Sequence, residues 1–208
     1  MKYWMITLVT CCALVGCGNL DDTTIPYSFE TGKADEWSKV LVVQETLEFD
    51  ADAIVRTFGV MDVDGFPFYF FNDCRFTIEV NEVATQSQQI EQQADPLNLV
   101  LDFWGAVDYD APLERLFVFE NGYEKKPLIT VKGKGRIVLA DLNLLVGCAK
   151  YMVVVRNQLE NTDEQRTYSI RLLTTQGSCI QCVDNSQCNG YICEHGLCVP
   201  RPSQIDSP

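Results

Sequence analysis

The residues able to do chemistry are few and unevenly placed. One histidine, His195, stands between Cys193 and Cys198 near the end of the chain. A Ser-His-Asp or Cys-His site would need that imidazole beside a nucleophile and an orienting acid on a supporting scaffold. A turn between two cysteines is a poor place to assemble one, which argues against triad hydrolases and histidine-rich metal sites together. Gly133-Lys134-Gly135 has neither the length nor the Gly-Lys-Ser/Thr ending of a phosphate-cradling loop. Carboxylates are abundant, with 29 Asp and Glu against 16 Lys and Arg. A glycosidase-like pair would have to face one cleft, at about 5–9.5 Å, and an acidic surface accounts for the same composition without catalysis. Asp62 and Asp64, with Asp73, are the candidate calcium ligands, because that ion takes several oxygens from a turn. Asp62-Val63-Asp64-Gly65 opens like an EF-hand loop, but Phe66 and Asp73 stand at its fifth and closing positions. A solvated turn leading into a strand is the competing account of these acids.

The aromatic residues Phe66, Phe68, Tyr69, Phe70, Phe71, Phe103, Trp104 and Tyr109 could stack on sugar rings or fill a core. Core packing is the expectation for most of them. Trp104 and Tyr109, beside the turn-rich Gly105–Pro112, are the ones expected to be exposed if any is.

These groups must be positioned by strands. From Lys39 the chain runs in short segments rich in β-branched and aromatic residues: Val40–Phe49, Ile54–Val63, Pro67–Phe71, Cys74–Val80, Leu97–Trp104, Leu116–Glu120, Leu128–Val131, Arg136–Leu139, Lys150–Arg156 and Thr167–Thr174. Leu97, Leu99, Leu101 and Phe103 share one face by period two, as do Phe76, Ile78 and Val80. Asn121-Gly122 is a hairpin signal, and Gly133-Lys134-Gly135 is expected to be a tight turn between two strands. The one helical candidate, Thr85–Ala94, is polar and glutamine-rich. The expected fold class is all-β, an antiparallel sandwich of jelly-roll type.

The N-terminus gives the chain an address. Met1-Lys2 precedes an apolar run from Tyr3 to Val15, an export-signal pattern too short to span a bilayer. The run ends Leu14-Val15-Gly16-Cys17, which resembles the lipobox of bacterial lipoproteins. The resemblance implies removal of residues 1–16 and acylation of Cys17, giving a membrane anchor of several acyl chains. Gly18 in place of Asp after that cysteine implies sorting to the outer membrane or cell surface of a Gram-negative bacterium. Loss of Lys2 takes the formal charge from −13 to −14. So acidic a chain is an unsuitable partner for nucleic acid and anionic lipid. Residues 17–37, polar and without periodicity, are expected to be a lipidated tether, 38–176 the sandwich, 177–200 a cysteine-rich module and 201–208 a disordered tail.

Asp62-Val63-Asp64-Gly65-Phe66-Pro67-Phe68-Tyr69-Phe70 followed by Arg75–Val80 resembles the start of bacterial pre-peptidase C-terminal domains. Leu139–Leu145, Gly147 and Lys150–Val155 resemble that family's late turn and next strand, and Thr167–Leu173 its last strand. The resemblance covers residues 38–175 and implies a jelly-roll-like accessory domain that binds or spaces, in some members with calcium.

Of ten cysteines, Cys11 and Cys12 leave with the signal and Cys17 takes lipid. Cys74, Cys148, Cys179, Cys182, Cys188, Cys193 and Cys198 remain, and outside the cytoplasm they are expected to oxidise. The spacing Cys182-x5-Cys188-x4-Cys193-x4-Cys198 resembles small "Dickkopf-like" modules on surface lipoproteins of myxobacteria. Four cysteines allow three pairings, of which the crossed one, Cys182 with Cys193 and Cys188 with Cys198, is the working expectation. Cys179-x2-Cys182 also has the look of half a zinc site, but a second close pair is missing. Cys74 and Cys148, both at strand starts, are candidates to bridge two strands with Cys179 unassigned, and the spacing does not decide which of the three is free. Taken together the sequence leads to a non-enzymatic, lipid-anchored envelope protein that binds a protein or glycan or is structural. A calcium- or carbohydrate-binding accessory role and a carboxylate hydrolase are the competing readings.

Overall fold

The protein was studied as a computed structural model, which describes residues 24–26, 40–58, 63–71, 74–83, 95–117, 125–144, 147–157 and 166–199. The signal segment, Cys17, Asp62, Asp73, the helical candidate Thr85–Ala94, Asn121-Gly122 and the tail 201–208 lie outside the described residues.

The described chain is nearly all strand: β1 (Thr24–Pro26), β2 (Val40–Val43), β3 (Ile54–Phe58), β4 (Val63–Phe70), β5 (Cys74–Val83), β6 (Asn98–Asp108), β7 (Ile129–Lys134), β8 (Arg136–Leu142), β9 (Ala149–Asn157), β10 (Arg166–Gly177), β11 (Ile192–Glu194) and β12 (Leu197–Val199). One sheet has the order β1-β2-β4-β9-β6-β7, the other β3-β10-β5-β8, and β11-β12 is a separate hairpin. Within β3 to β10 every pair is antiparallel. Numbered afresh from β3, these eight strands lie in the orders 1-8-3-6 and 2-7-4-5, which is the strand order of a jelly roll. The expected fold class is therefore observed. Beyond it, β2 extends the larger sheet in parallel with β4, and β1 pairs antiparallel with β2. Residues 24–26, inside the expected tether, thus belong to the sheet.

Alternation explains why these segments face each other. Phe66, Phe68 and Phe70 on β4, Leu99, Leu101 and Phe103 on β6, and Tyr151, Val153 and Val155 on β9 are buried against Phe76, Ile78 and Val80 on β5 and Tyr168, Ile170 and Leu172 on β10. Phe68 lies at the centre, with ring centroids 5.6–6.0 Å from Phe49, Phe76, Phe103 and Tyr151. Strands β4 and β9 are buried on both faces. The outer face of the larger sheet carries a second apolar cluster of Met152, Val154, Trp104, Leu41, Val43 and Val63 under Leu113, Leu116 and Phe117. Gly65 belongs to that face, where a Cβ would stand 2.8 Å from Leu41 Cδ1 and 3.0 Å from Met152 Sδ.

Two sequence expectations are corrected. Leu116 ends a 3-10 turn, Leu113–Leu116, rather than starting a strand; both leucines point into the second cluster, as i and i+3 positions of such a turn do. Gly133-Lys134-Gly135 does make a turn, with Gly135 at φ 65°, but β7 and β8 belong to different sheets. The turn carries the chain across the sandwich instead of closing a hairpin.

On the outer face of the smaller sheet, Glu79 accepts from Arg171 Nε at 3.0 Å and Nη2 at 2.7 Å. Arg136 Nη2 reaches its other oxygen at 3.3 Å. The Arg171 hydrogen bond, against an opposing effect of desolvation and with help from both guanidinium charges, holds the Glu79 carboxyl below the usual carboxylate range. A carboxyl depressed in the folded state adds stability above its unfolded pKa, and that stability is lost as pH falls through the folded value. Glu79→Gln is expected to lower the urea midpoint at neutral pH and to flatten its decline in acid. An acid limb as steep as in the parent would refute the assignment.

Candidate functional site

At one end of the sandwich, the outer face of the larger sheet meets the cysteine-rich tail. Tyr69 has the opposite parity to Phe66, Phe68 and Phe70 on β4, so its ring faces outward. Its cross-strand partner on β9 is Lys150, which is buried and donates from Nζ to Ala111 O at 2.6 Å. Desolvation pushes the Lys150 ammonium pKa down, opposed by Asp110 and Glu114. The Nζ lies 5.7 Å from the Tyr69 ring centroid, within cation–π range. The pairing of β6 with β9 shifts register between Trp104 and Val107. Gly105 sits in this irregularity with the Tyr151 ring where a Cβ would stand, 2.0 Å away. Beyond it, the turn Asp108–Ala111 carries Tyr109 and Asp110 to the rim.

The other wall is the β11–β12 hairpin. Glu194 pairs with Leu197, and the intervening His195 and Gly196 have φ of 49° and 81°, both positive as a type I′ hairpin turn requires. This turn lays the His195 ring on Tyr69, centroids 4.9 Å apart and planes within 3°. The backbone N–H groups of Gln181 and Cys182 both donate to Gly196 O and fix the turn. Burial first, then the Glu194 charge, pushes the Tyr69 phenol pKa up. Between the walls lies a cleft of about 140 Å³. Its rings are Tyr69, Tyr109 and His195, its carboxyls Asp110 and Glu194, and its apolar wall Leu197 and Val199. On the far side of His195 opens a groove of about 750 Å³ whose charged lining includes Glu45, Glu48, Asp52 and Arg171. His195 lines both recesses, with Nδ1 4.0 Å from Glu48 Oε1.

The disulfides hold the tail in this place. Cys182 bonds Cys193 and Cys188 bonds Cys198, which is the crossed connectivity. The sulfurs of Cys182, Cys188 and Cys198 lie within 4.8 Å of one another, yet each is consumed in a disulfide, leaving no thiolate of this group for zinc. Cys74 bonds Cys179 rather than the candidate partner Cys148. Cys74 and Cys179 are both buried, whereas Cys148 sits at φ 51° on the exposed turn before β9 and is the free cysteine among the described residues.

Asp64, one of the candidate calcium ligands, faces the space between the sheets. It shares the parity of Phe66 and is 2% exposed, with Oδ1 accepting from Gln44 Nε2 at 2.8 Å and Oδ2 from the Tyr168 hydroxyl at 2.5 Å. Its oxygens tie β4 to β10 across the sandwich. Trp104 packs in the second cluster edge-on to Phe117 at 5.0 Å, in line with core packing. Tyr109 does reach the cleft. Lys150, Asp110 and Glu194 had no separate signal in the sequence, and the signal that could have found Tyr69 is its parity against its phenylalanine neighbours.

No family model matches the chain, and no curated protein matches it either. Among solved structures, it is similar to PliG of Aeromonas hydrophila, a periplasmic lysozyme inhibitor of g-type lysozyme, at TM-score 0.35 and 12% identity over 64% of this chain and 100% of that one. At that TM-score the likeness decides nothing about this chain, whose fold and site rest on its own geometry.

Proposed function

We propose that this is a lipid-anchored envelope protein, held by Cys17, whose jelly roll and cross-linked tail display a non-catalytic binding site where they meet. The observation that carries the reading is the seam itself. A tail of this size cannot bury a core of its own, and here it is bonded to the sandwich through Cys179 and seated on Tyr69 through His195. Together they enclose a recess that neither part makes alone. Three disulfides fit an oxidising compartment, and the resemblance of residues 38–175 to pre-peptidase C-terminal accessory domains agrees with binding. The lone imidazole spends a ring face on Tyr69, and among the described residues the cleft lining holds no Ser, Thr or Cys.

Anchoring at Cys17 would also fix where the site stands. Only residues 18–23 separate it from β1, a stretch that spans at most about 25 Å. The β1 edge of the larger sheet would therefore lie close to the bilayer rather than on a long tether. Outer-membrane or surface placement follows, in this reading, from Gly18.

Cys17→Ser tests the anchor. The protein is expected to move from the membrane pellet to the soluble fraction, as followed by fractionation and immunoblot. A variant that stays in the pellet through a carbonate wash would sink the lipoprotein assignment.

A further inference from the structure

We infer that the cleft and the groove that meet at His195 form one docking track for a basic segment of a partner protein, with the cleft taking a single lysine or arginine side chain. The inference rests on the binding role proposed above and names the chemistry of its partner.

Charge points the same way at three scales. The whole chain carries −13, the groove presents Glu48 and Asp52 beside a Glu45 paired to Arg56, and the cleft presents Asp110 and Glu194. The cations nearby are already engaged. Arg171 in the groove is bound to Glu79 at 2.7 Å, and Lys150 beneath the cleft gives its Nζ to Ala111 O. Glu48 is 65% exposed, with only His195 at 4.0 Å for an ion-pair partner among the described residues. An acidic or phosphorylated ligand would meet these carboxyls where the neighbouring cations Arg56, Arg171 and Lys150 already have partners, whereas a basic segment complements them and is steered in by the long-range field.

Size and lining set how it sits. About 140 Å³ admits one side chain and not a peptide backbone. Leu197 and Val199 suit the methylene stem of lysine or arginine, whose apolar length and charged head are accommodated separately. Tyr109 offers a ring and Asp110 and Glu194 the carboxyls for the head. The larger groove then accepts the residues flanking the anchor. Sugar stacking is the less suitable chemistry here, because the Tyr69 ring is already engaged by His195 and Lys150.

The test uses the full lipidated protein in nanodiscs of neutral phospholipid and fluorescence anisotropy of a labelled Arg-Gly repeat peptide. A Glu-Gly peptide, a Ser-Gly peptide and a chito-oligosaccharide serve as comparison ligands. The basic peptide is expected to bind, more weakly as salt rises, and the others not to. Asp110→Asn with Glu194→Gln is expected to weaken binding by about tenfold or more. Glu48→Gln with Asp52→Asn, in the groove, is expected to weaken it severalfold and tests the track without touching the cleft. Asp95→Asn with Asp141→Asn makes the same change in net charge outside both recesses and is expected to leave affinity within about twofold. Equal weakening by that control pair would overturn the site in favour of a diffuse field. Binding of the oligosaccharide but not the basic peptide would overturn the ligand class. Melting curves of each variant identify any loss due to unfolding. Release by Cys17→Ser is read in a separate assay, so failure of the anchor and failure of the track are distinguishable.

Discussion

Replacing Cys74 and Cys179 together by alanine is expected to lower the unfolding free energy by about 4–5 kcal/mol. The bridge joins residues 105 apart and closes a loop that contains most of the jelly roll. In the chain-entropy account, a loop of this length restricts the unfolded chain more than the tail bridges do, whose separations are 11 and 10 residues. Those are expected to contribute about 3 kcal/mol or less each. Its place in the fold favours the same outcome. Cys74 opens β5 opposite Gly177 at the end of β10, and Phe71 N–H donates to Cys179 O at 2.9 Å. Both sulfurs are buried, and alanine leaves no polar group stranded there. Urea unfolding under non-reducing conditions measures the difference. A loss below about 1 kcal/mol would mean that the unfolded chain is already compact, so the crosslink restricts little. The same variant should weaken binding at the seam, since the bridge anchors the hairpin that carries Glu194 and His195.

What the sequence made legible, and what it hid, divides along local and non-local physics. The core strands were readable because alternation is local: Leu99, Leu101 and Phe103 announce one face without knowledge of the other sheet. The jelly-roll strand order follows from no single segment, and neither does the partner of Cys74, which depends on where the end of β10 arrives. Gly133-Lys134-Gly135 shows the same limit, since its chemistry makes a turn whether the next strand joins the same sheet or the opposite one. Thr24-Ile25-Pro26 was hidden in an expected tether because three residues show no periodicity and proline discourages a strand assignment, although an edge strand tolerates it. The run at Leu116 misled for a different reason. Leu113 and Leu116 are both buried through a 3-10 spacing, and the apolar run read as a strand starts only at the last residue of that turn. The cleft was the least legible feature, because β4, β9, the Asp108–Ala111 turn and the tail hairpin contribute to it from four separate parts of the chain.

Asp64→Ala is expected to cost about 3–5 kcal/mol, although the residue lies in a segment that looked like a metal-binding turn. The carboxyl is enclosed between the sheets and accepts from Tyr168 Oη and Gln44 Nε2. Tyr168 is itself fully buried, stacked on Phe58 with centroids 4.4 Å apart. Truncation therefore removes the carboxylate acceptor of a buried hydroxyl, a larger penalty than the net worth of the hydrogen bond. Tyr168→Phe should cost less, because it deletes the donor and leaves the acid its Gln44 partner. The double variant should then be less destabilised than the sum of the two, with a coupling of about 1–3 kcal/mol. Additive losses would refute the latch. Calcium distinguishes the two accounts of Asp64 directly. A latch predicts an unchanged melting temperature on titrating calcium into the parent protein, whereas a rise that Asp64→Ala abolishes would restore the metal site. The resulting physical logic is that the acid opening β4 ties the sheets together from inside, leaving the exposed carboxyls beside His195 to meet a partner.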